Sequence, residues 1–318
     1  MMTNSRLFCH LLAFMTVAIW GTTFVSTKVL LMEGLSPAQI FTLRFAMAYV
    51  LLAAWMGVSA ILRRRHGRRV SPVGRKTRTN ERGWALVKRE LLMMALGVTG
   101  GSLYFLAENE ALNHTTATNT SLIVCSCPLF AMMIIALFYP SERVRRIQWI
   151  GSLIACIGMI IVVLNGRFVL HLSPVGDLLA FVACLCWAFY SLLMKPAIER
   201  YTTLFVTRKV FFYGLLTILP YFLFVPDWPA MEVLLRPQVM GNLLFLGVLA
   251  SMVCFLVWNW VIRQLGAIVA TNWVYFNPIS TMFFAWWFLN ETITVFFLLG
   301  AALILIGMYL ADKRKTKV

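Results

Sequence analysis

The sequence predicts an all-α membrane protein of ten transmembrane helices, arranged as two inverted five-helix repeats. Three observations predict it. The first is composition. Of 318 residues, 61% are hydrophobic and only 13% are charged, and the mean hydropathy is +0.82. Soluble domains are roughly 45–50% apolar and about 25% charged, so this much apolar surface suits a bilayer and not a water-soluble core. The second is the distribution of positive charge, and the third is an ordered internal repeat.

A helix needs about 20 apolar residues to cross a bilayer. Ten runs qualify: 8–28, 37–62, 91–113, 115–138, 148–165, 174–195, 203–225, 238–262, 267–289 and 295–312. The apolar stretch from Phe8 to Leu31 is too long for a signal-peptide core and lacks a small-residue cleavage pattern, so it reads as the first span. Pro37 opens the second run and Pro174 the sixth, and Pro226-Asp227-Trp228-Pro229 follows the seventh. Only Asn113 and His114 separate the third run from the fourth, which makes those two a tight antiparallel pair.

The net charge of +16 would suit a nucleic-acid binder, but the basic residues sit between apolar runs. They therefore read as topology signals. The connections on the side of the N-terminus carry 22 Lys and Arg, eleven of them in 63–90, whereas the opposite side carries only Lys28, Arg167 and Arg236. Short cytoplasmic loops are the positive ones, which predicts both termini in the cytoplasm and an even number of spans. The 63–90 loop reads as a basic cytoplasmic linker able to touch anionic lipid.

The two halves match in order. Trp20 and Lys28 correspond to Trp187 and Lys195 at the same spacing of eight, and Arg44 corresponds to Arg208. Phe105, Leu106, Asn109 and Pro128 correspond to Phe255, Leu256, Asn259 and Pro278 at an offset of 150. Glu142 pairs with Glu291, while Gly151, Ile157, Gly158 and Met159 pair with Gly300, Ile306, Gly307 and Met308 at an offset of 149. The first repeat occupies 1–165, the second 174–312, and 313–318 is a basic tail. A repeat of five crossings must enter the membrane from opposite faces in its two copies. That arrangement is typical of secondary transporters, which bind substrate near the midplane between inverted halves. Inversion places Lys28 at the outer end of its helix and Lys195 at the inner end of its own, and it puts Trp20 and Trp187 near the midplane.

These residues carry a resemblance. The two five-helix halves, Trp20-Gly21-Thr22-Thr23-Phe24, Arg44, Pro128, Pro278 and the acidic residues in Ser141-Glu142 and Asn290-Glu291 look like the EamA family of the drug/metabolite transporter superfamily. The resemblance covers nearly the whole chain. It implies a multi-pass permease of the bacterial inner membrane, often an exporter of amino acids or related metabolites. It also implies a cavity lined by helices 1–4 and 6–9, with 5 and 10 as supports. The 63–90 insertion is longer than the family pattern leads one to expect.

Polar groups in a bilayer usually face other helices or a wet cavity. Trp20 and Trp187 lie deep, where an indole N–H needs a partner, and with Thr23, Tyr190, Asn109, Asn259 and Asn277 they are the substrate-cavity candidates. Interhelical hydrogen bonding is the plainer reading of the hydroxyl residues. Pro128 and Pro278 free backbone carbonyls inside spans and are candidate gating kinks. Glu108, Glu110 and Arg44 are the charge or coupling candidates; a hydrated helix end is the plainer reading of the two acids, and snorkelling or an ion pair with one of them that of Arg44.

The seven cysteines lie in apolar runs without C-x-x-C spacing and read as small apolar side chains, so neither a metal nor another cofactor is expected. No G-x-x-x-x-G-K-[ST] run exists, and the four histidines lie at helix ends or in loops. An enzyme is therefore not expected. The expected partners are a small-molecule substrate and membrane lipids, not nucleic acid. A lipid or polyprenyl-carrier flippase is the alternative that fits the same architecture, and an intramembrane enzyme a weaker one.

Overall fold

The apolar runs become long helices because a lipid-facing backbone has to satisfy its own hydrogen bonds. The computed structural model describes residues 2–65, 83–115, 117–139, 144–164, 173–226, 228–280, 283 and 294–312. Glu142, Asn290, Glu291, most of the 63–90 loop and the 313–318 tail lie outside the described residues, as does the side chain of Asn119.

In the first half, α1 is Met2–Met32, α2 is Pro37–Arg65, α3 is Trp84–His114, α4 is Thr120–Phe138 and α5 is Arg146–Leu164. In the second half, α6 is Pro174–Arg200, α7 is Thr203–Phe224 and α8 is Pro237–Leu265. Next comes α9, Ala267–Asn272, and the last is α10, Val295–Asp312. A one-turn helix, Met231–Leu234, connects α7 to α8. Among the described residues, nine helices are long and apolar enough to cross a membrane. Ten spans are expected from sequence. The odd one is α9, which tightens into a 3-10 turn at Trp273–Phe276 and resumes as helix to residue 280; apart from residue 283, the remainder of its run to 289 lies outside the described residues.

Turn chemistry sets the ends. After α1 the amide of Leu35 donates to Leu30 O and that of Gly34 to Leu31 O, with Gly34 at φ 92°. This is a Schellman closure, whose left-handed residue favours glycine. Gly266, at φ 87°, makes the turn between α8 and α9. Prolines stand in the first turns of α6 and α8, where a missing N–H costs nothing.

The third helix of each half departs from regular α geometry at corresponding places. In α3 the stretch Val98–Ser102 winds as a π-helix, and in α8 the stretch Phe245–Val253 does the same. The fourth helix of each half is interrupted as well. A turn at Cys125 and Ser126 breaks α4, and Pro128 opens the following piece, Cys127–Phe138. Pro278 similarly follows the 3-10 turn in α9. Both prolines therefore restart a helix after a break and do not bend a continuous one.

The halves interlock. Within the membrane α3 packs on α6 and α7, and α1 and α2 pack on α8. The supporting helices α5 and α10 meet backbone to backbone. A Cβ on Gly307 would stand 2.4 Å from the Ala155 amide nitrogen, and one on Gly151 would stand 2.6 Å from Gly307 O. Small residues at such a seam let transmembrane helices approach closely.

Candidate functional site

Trp20 lies one residue from the middle of the Arg6–Met32 span, and Trp187 is the middle residue of Pro174–Arg200. The fold brings them together: the rings are 5.4 Å apart and nearly perpendicular, at 89°. Trp258 at 5.0 Å and Phe255 at 5.7 Å also pack on Trp20, and Tyr104 lies 5.2 Å from Trp187. The Trp20 indole N–H donates to Ala250 O at 3.0 Å, a carbonyl in the π-wound part of α8. The Trp187 indole nitrogen has no acceptor among the described residues.

This aromatic cluster walls a cavity between the halves. Trp20, Thr23 and Phe24 from α1, Arg44 from α2, Tyr104, Phe105 and Glu108 from α3, and Val124 and Cys127 from α4 line one part. Trp187, Phe255, Val274 and Asn277 from α6, α8 and α9 line the rest. The cavity between them has a volume of about 40 Å³. One water needs about 10–15 Å³ by that measure, so the aromatic walls leave room for roughly three.

An arginine and a glutamate border the space. Arg44 is 2% exposed and Glu108 is 7% exposed. The Tyr104 hydroxyl donates to Glu108 Oε1 at 3.0 Å, a contact that follows from their i,i+4 spacing on one helix face. Arg44 Nε donates to Ser251 Oγ at 2.9 Å, and its guanidinium carbon lies 4.4 Å from the centroid of Phe105. Among the described residues Arg44 makes no ion pair within 4.0 Å. It neither snorkels to the interface nor pairs directly with Glu108; it is held by a hydroxyl and a ring. With Nε occupied, the remaining guanidinium N–H groups are donors for whatever enters the cavity.

The repeat explains why this charge is one-sided. At the offset of 150, Ser251 corresponds to Gly101 and Glu108 to Trp258. Arg208, the counterpart of Arg44, therefore has a glycine where Arg44 finds a hydroxyl, and a tryptophan stands where the carboxylate would be. Of the second half, Trp187, Phe255, Val274 and Asn277 line the cavity.

The candidates separate cleanly. Trp20, Thr23, Arg44, Glu108, Trp187 and Asn277 border one cavity. Asn109, Tyr190 and Asn259 lie outside that lining and bond to neighbouring helices. Asn109 Nδ2 donates to Pro37 O at 3.3 Å. The Tyr190 hydroxyl donates to Asn259 Oδ1 at 2.7 Å, and Asn259 Nδ2 donates to Thr207 Oγ1 at 2.9 Å, joining α6, α8 and α7. Glu110 points away and meets His114 at 3.2 Å. Pro128 and Pro278 adjoin the lining residues Cys127 and Asn277 without being part of it. Tyr104, Phe105 and Ser251 are the main residues that the polar inventory of the sequence misses. Tyr104 was within reach, four residues before a membrane carboxylate.

A family model described as the EamA-like transporter family matches residues 7–164 and again 174–311, once over each half. The chain belongs to the EamA-like transporter family. A transporter of Archaeoglobus fulgidus is 26% identical over 96% of this chain and 98% of its own. A protein of Streptantibioticus cattleyicolor named as a probable terminal-alkyne amino-acid exporter is 26% identical over 94% of this chain and 92% of its own. A solved crystal structure superposes with a TM-score of 0.69 at 16% identity, covering 96% of this chain and 97% of that one, and so shares the fold. The EamA-like chain is accordingly a multi-pass membrane transporter and not an enzyme.

Proposed function

We propose that this EamA-like chain is a secondary transporter that exports a small zwitterionic metabolite, an amino acid or a close relative, by alternating access around the central cavity. One observation carries the reading: a buried guanidinium and a buried carboxylate border the same aromatic-walled space between the two halves. Arg44 would take the substrate carboxylate through its planar donor fork. Glu108, steadied by Tyr104, would take the ammonium group. The rings of Trp20, Trp187 and Phe255 would receive the apolar part, as in most small-molecule sites. The amino-acid exporter named among the relatives supports this class of cargo. The preponderance of Lys and Arg on the N-terminal side supports a bacterial inner-membrane orientation with both termini cytoplasmic.

The test is a flux screen in proteoliposomes, with and without a pH gradient, comparing free amino acids with their methyl esters and N-acetyl derivatives. Saturable flux of a free amino acid, lost when either end is blocked, is the expected result. Equal flux of blocked and free forms overturns the zwitterion reading, and movement of labelled lipid alone overturns the solute transporter.

A further inference from the structure

A second and larger cavity lies where the start of α1, the start of α9 and the end of α10 come together. Its volume is about 250 Å³, against about 40 Å³ for the central one. None of the described residues in its wall borders the central cavity. His10, Asn272 and Asp312 make one end of it polar, while Leu305 and Met308 make the other apolar. Asn272 is the unusual member. It is 4% exposed, and among the described residues neither its Nδ2 nor its Oδ1 has a hydrogen-bond partner. A buried amide left in that state is costly, and a ligand that both donates and accepts would relieve it.

The neighbouring side chains supply the same pair of roles. Trp273 Nε1 donates to His10 Nδ1 at 3.2 Å, so the neutral imidazole carries its proton on Nε2 and donates from there. Arg6 donates to Asp312 Oδ1 at 2.6 Å. Asp312 Oδ2 lies 3.6 Å from His10 Nε2, beyond hydrogen-bond reach, and can accept from a ligand. Because Arg6 balances Asp312, this set of groups suits a ligand carrying both signs. The order from polar to apolar follows depth. Leu305 precedes Asp312 by seven residues on α10, which puts it roughly 10 Å farther into the membrane. Leu305 and Tyr309, both in the wall, are 52% and 67% exposed on the flank of a membrane span, so the cavity opens towards lipid. The opposite face has no copy of it. At the offset of 150, Asn272 and Trp273 correspond to Leu122 and Ile123, and at 149 Asp312 corresponds to Val163.

We propose that this cavity binds an ethanolamine phospholipid from the leaflet on the side of the termini. Its ammonium group donates to Asp312 Oδ2 and Asn272 Oδ1, its phosphate accepts from Asn272 Nδ2 and His10 Nε2, and an acyl chain runs along Met308 and Leu305. A choline headgroup has no N–H and leaves Asn272 Oδ1 unsatisfied. The site is independent of which solute crosses the central cavity.

The test is native mass spectrometry of the purified, delipidated full chain, titrated with ethanolamine, choline and glycerol phospholipids of identical acyl chains and with free O-phosphoethanolamine. The ethanolamine lipid should bind about tenfold more tightly than the choline lipid, the difference expected from one buried acceptor left without a donor. Asn272→Leu should abolish that preference. Leu305→Trp narrows the apolar end from an exposed position and should by itself lower retention of the ethanolamine lipid, which keeps a readout should Asn272→Leu fail to insert. Equal retention of ethanolamine and choline lipids by the wild type overturns the proposal. Tighter retention of the glycerol lipid overturns it in favour of a site for anionic lipid, and equally tight binding of O-phosphoethanolamine in favour of a soluble ligand. An unchanged preference in folded Asn272→Leu, or unchanged retention in Leu305→Trp, removes the lipid from this cavity.

Discussion

Replacing Arg44 by methionine tests the charge pair that the transport reading needs. The change keeps an unbranched side chain and removes three things: the donor fork facing the cavity, the 2.9 Å bond to Ser251 and the contact over Phe105 at 4.4 Å. Truncating one partner of a buried charged contact costs about 2–5 kcal/mol. At about 1.4 kcal/mol per factor of ten, apparent affinity for a carboxylate-bearing substrate should fall by roughly 30-fold to several thousand-fold. Ser251→Ala removes only the acceptor that aims Arg44, and a hydrogen bond to a charged group is worth about 1.5–3 kcal/mol. Because cavity water can replace part of it, the loss should be about tenfold. Flux in proteoliposomes, normalised to the amount of inserted protein, measures both. Wild-type flux in Arg44→Met would refute the reasoning, and so would a Ser251→Ala defect larger than that of Arg44→Met.

The two central tryptophans should respond differently to loss of the indole N–H. Trp20→Phe breaks a bond to Ala250 O and should lower stability by about 0.5–1.5 kcal/mol. Trp187→Phe makes the same change in ring size but removes a donor without an acceptor among the described residues, so it should cost less stability than Trp20→Phe; alanine at either position should impair transport with insertion intact. Tyr190→Phe leaves Asn259 Oδ1 without its donor in a buried site, so the thermal midpoint should drop, by the equivalent of about 1–3 kcal/mol, as read by melting of the purified protein. Gly307→Ala places a methyl 2.4 Å from backbone atoms of α5, which has to push the helices apart at about 1–3 kcal/mol; an unchanged midpoint would show the seam to be loose.

Much of the fold is written in the spacing of apolar runs, because hydropathy and positive charge report directly on the bilayer. Trp20 and Trp187 stand at the middle of their helices, where counting along the chain puts them. Direction around the helix axis was not. Glu108 and Glu110 are two residues apart, so at 3.6 residues per turn they face nearly opposite ways, and only the packing shows that Glu108 turns inward. A helix that is apolar on all sides carries little record of which side meets protein. The π-wound stretches of α3 and α8 add a further rotation that no periodicity reveals. The Ser251 contact was hidden for another reason: it lies 207 residues from Arg44 and exists only once the halves interlock.

The one-sided placement of charge has a consequence for how cargo would ride. Arg44, Tyr104 and Glu108 all belong to the first repeat, while the second offers Trp187, Phe255, Val274 and Asn277 to the lining. A ligand gripped by those charges would stay with the first five helices as a passenger in a fixed seat. The second five helices would then swing past it as a sliding wall of aromatic surface, and the molecule would leave the cell in the same orientation in which it boarded.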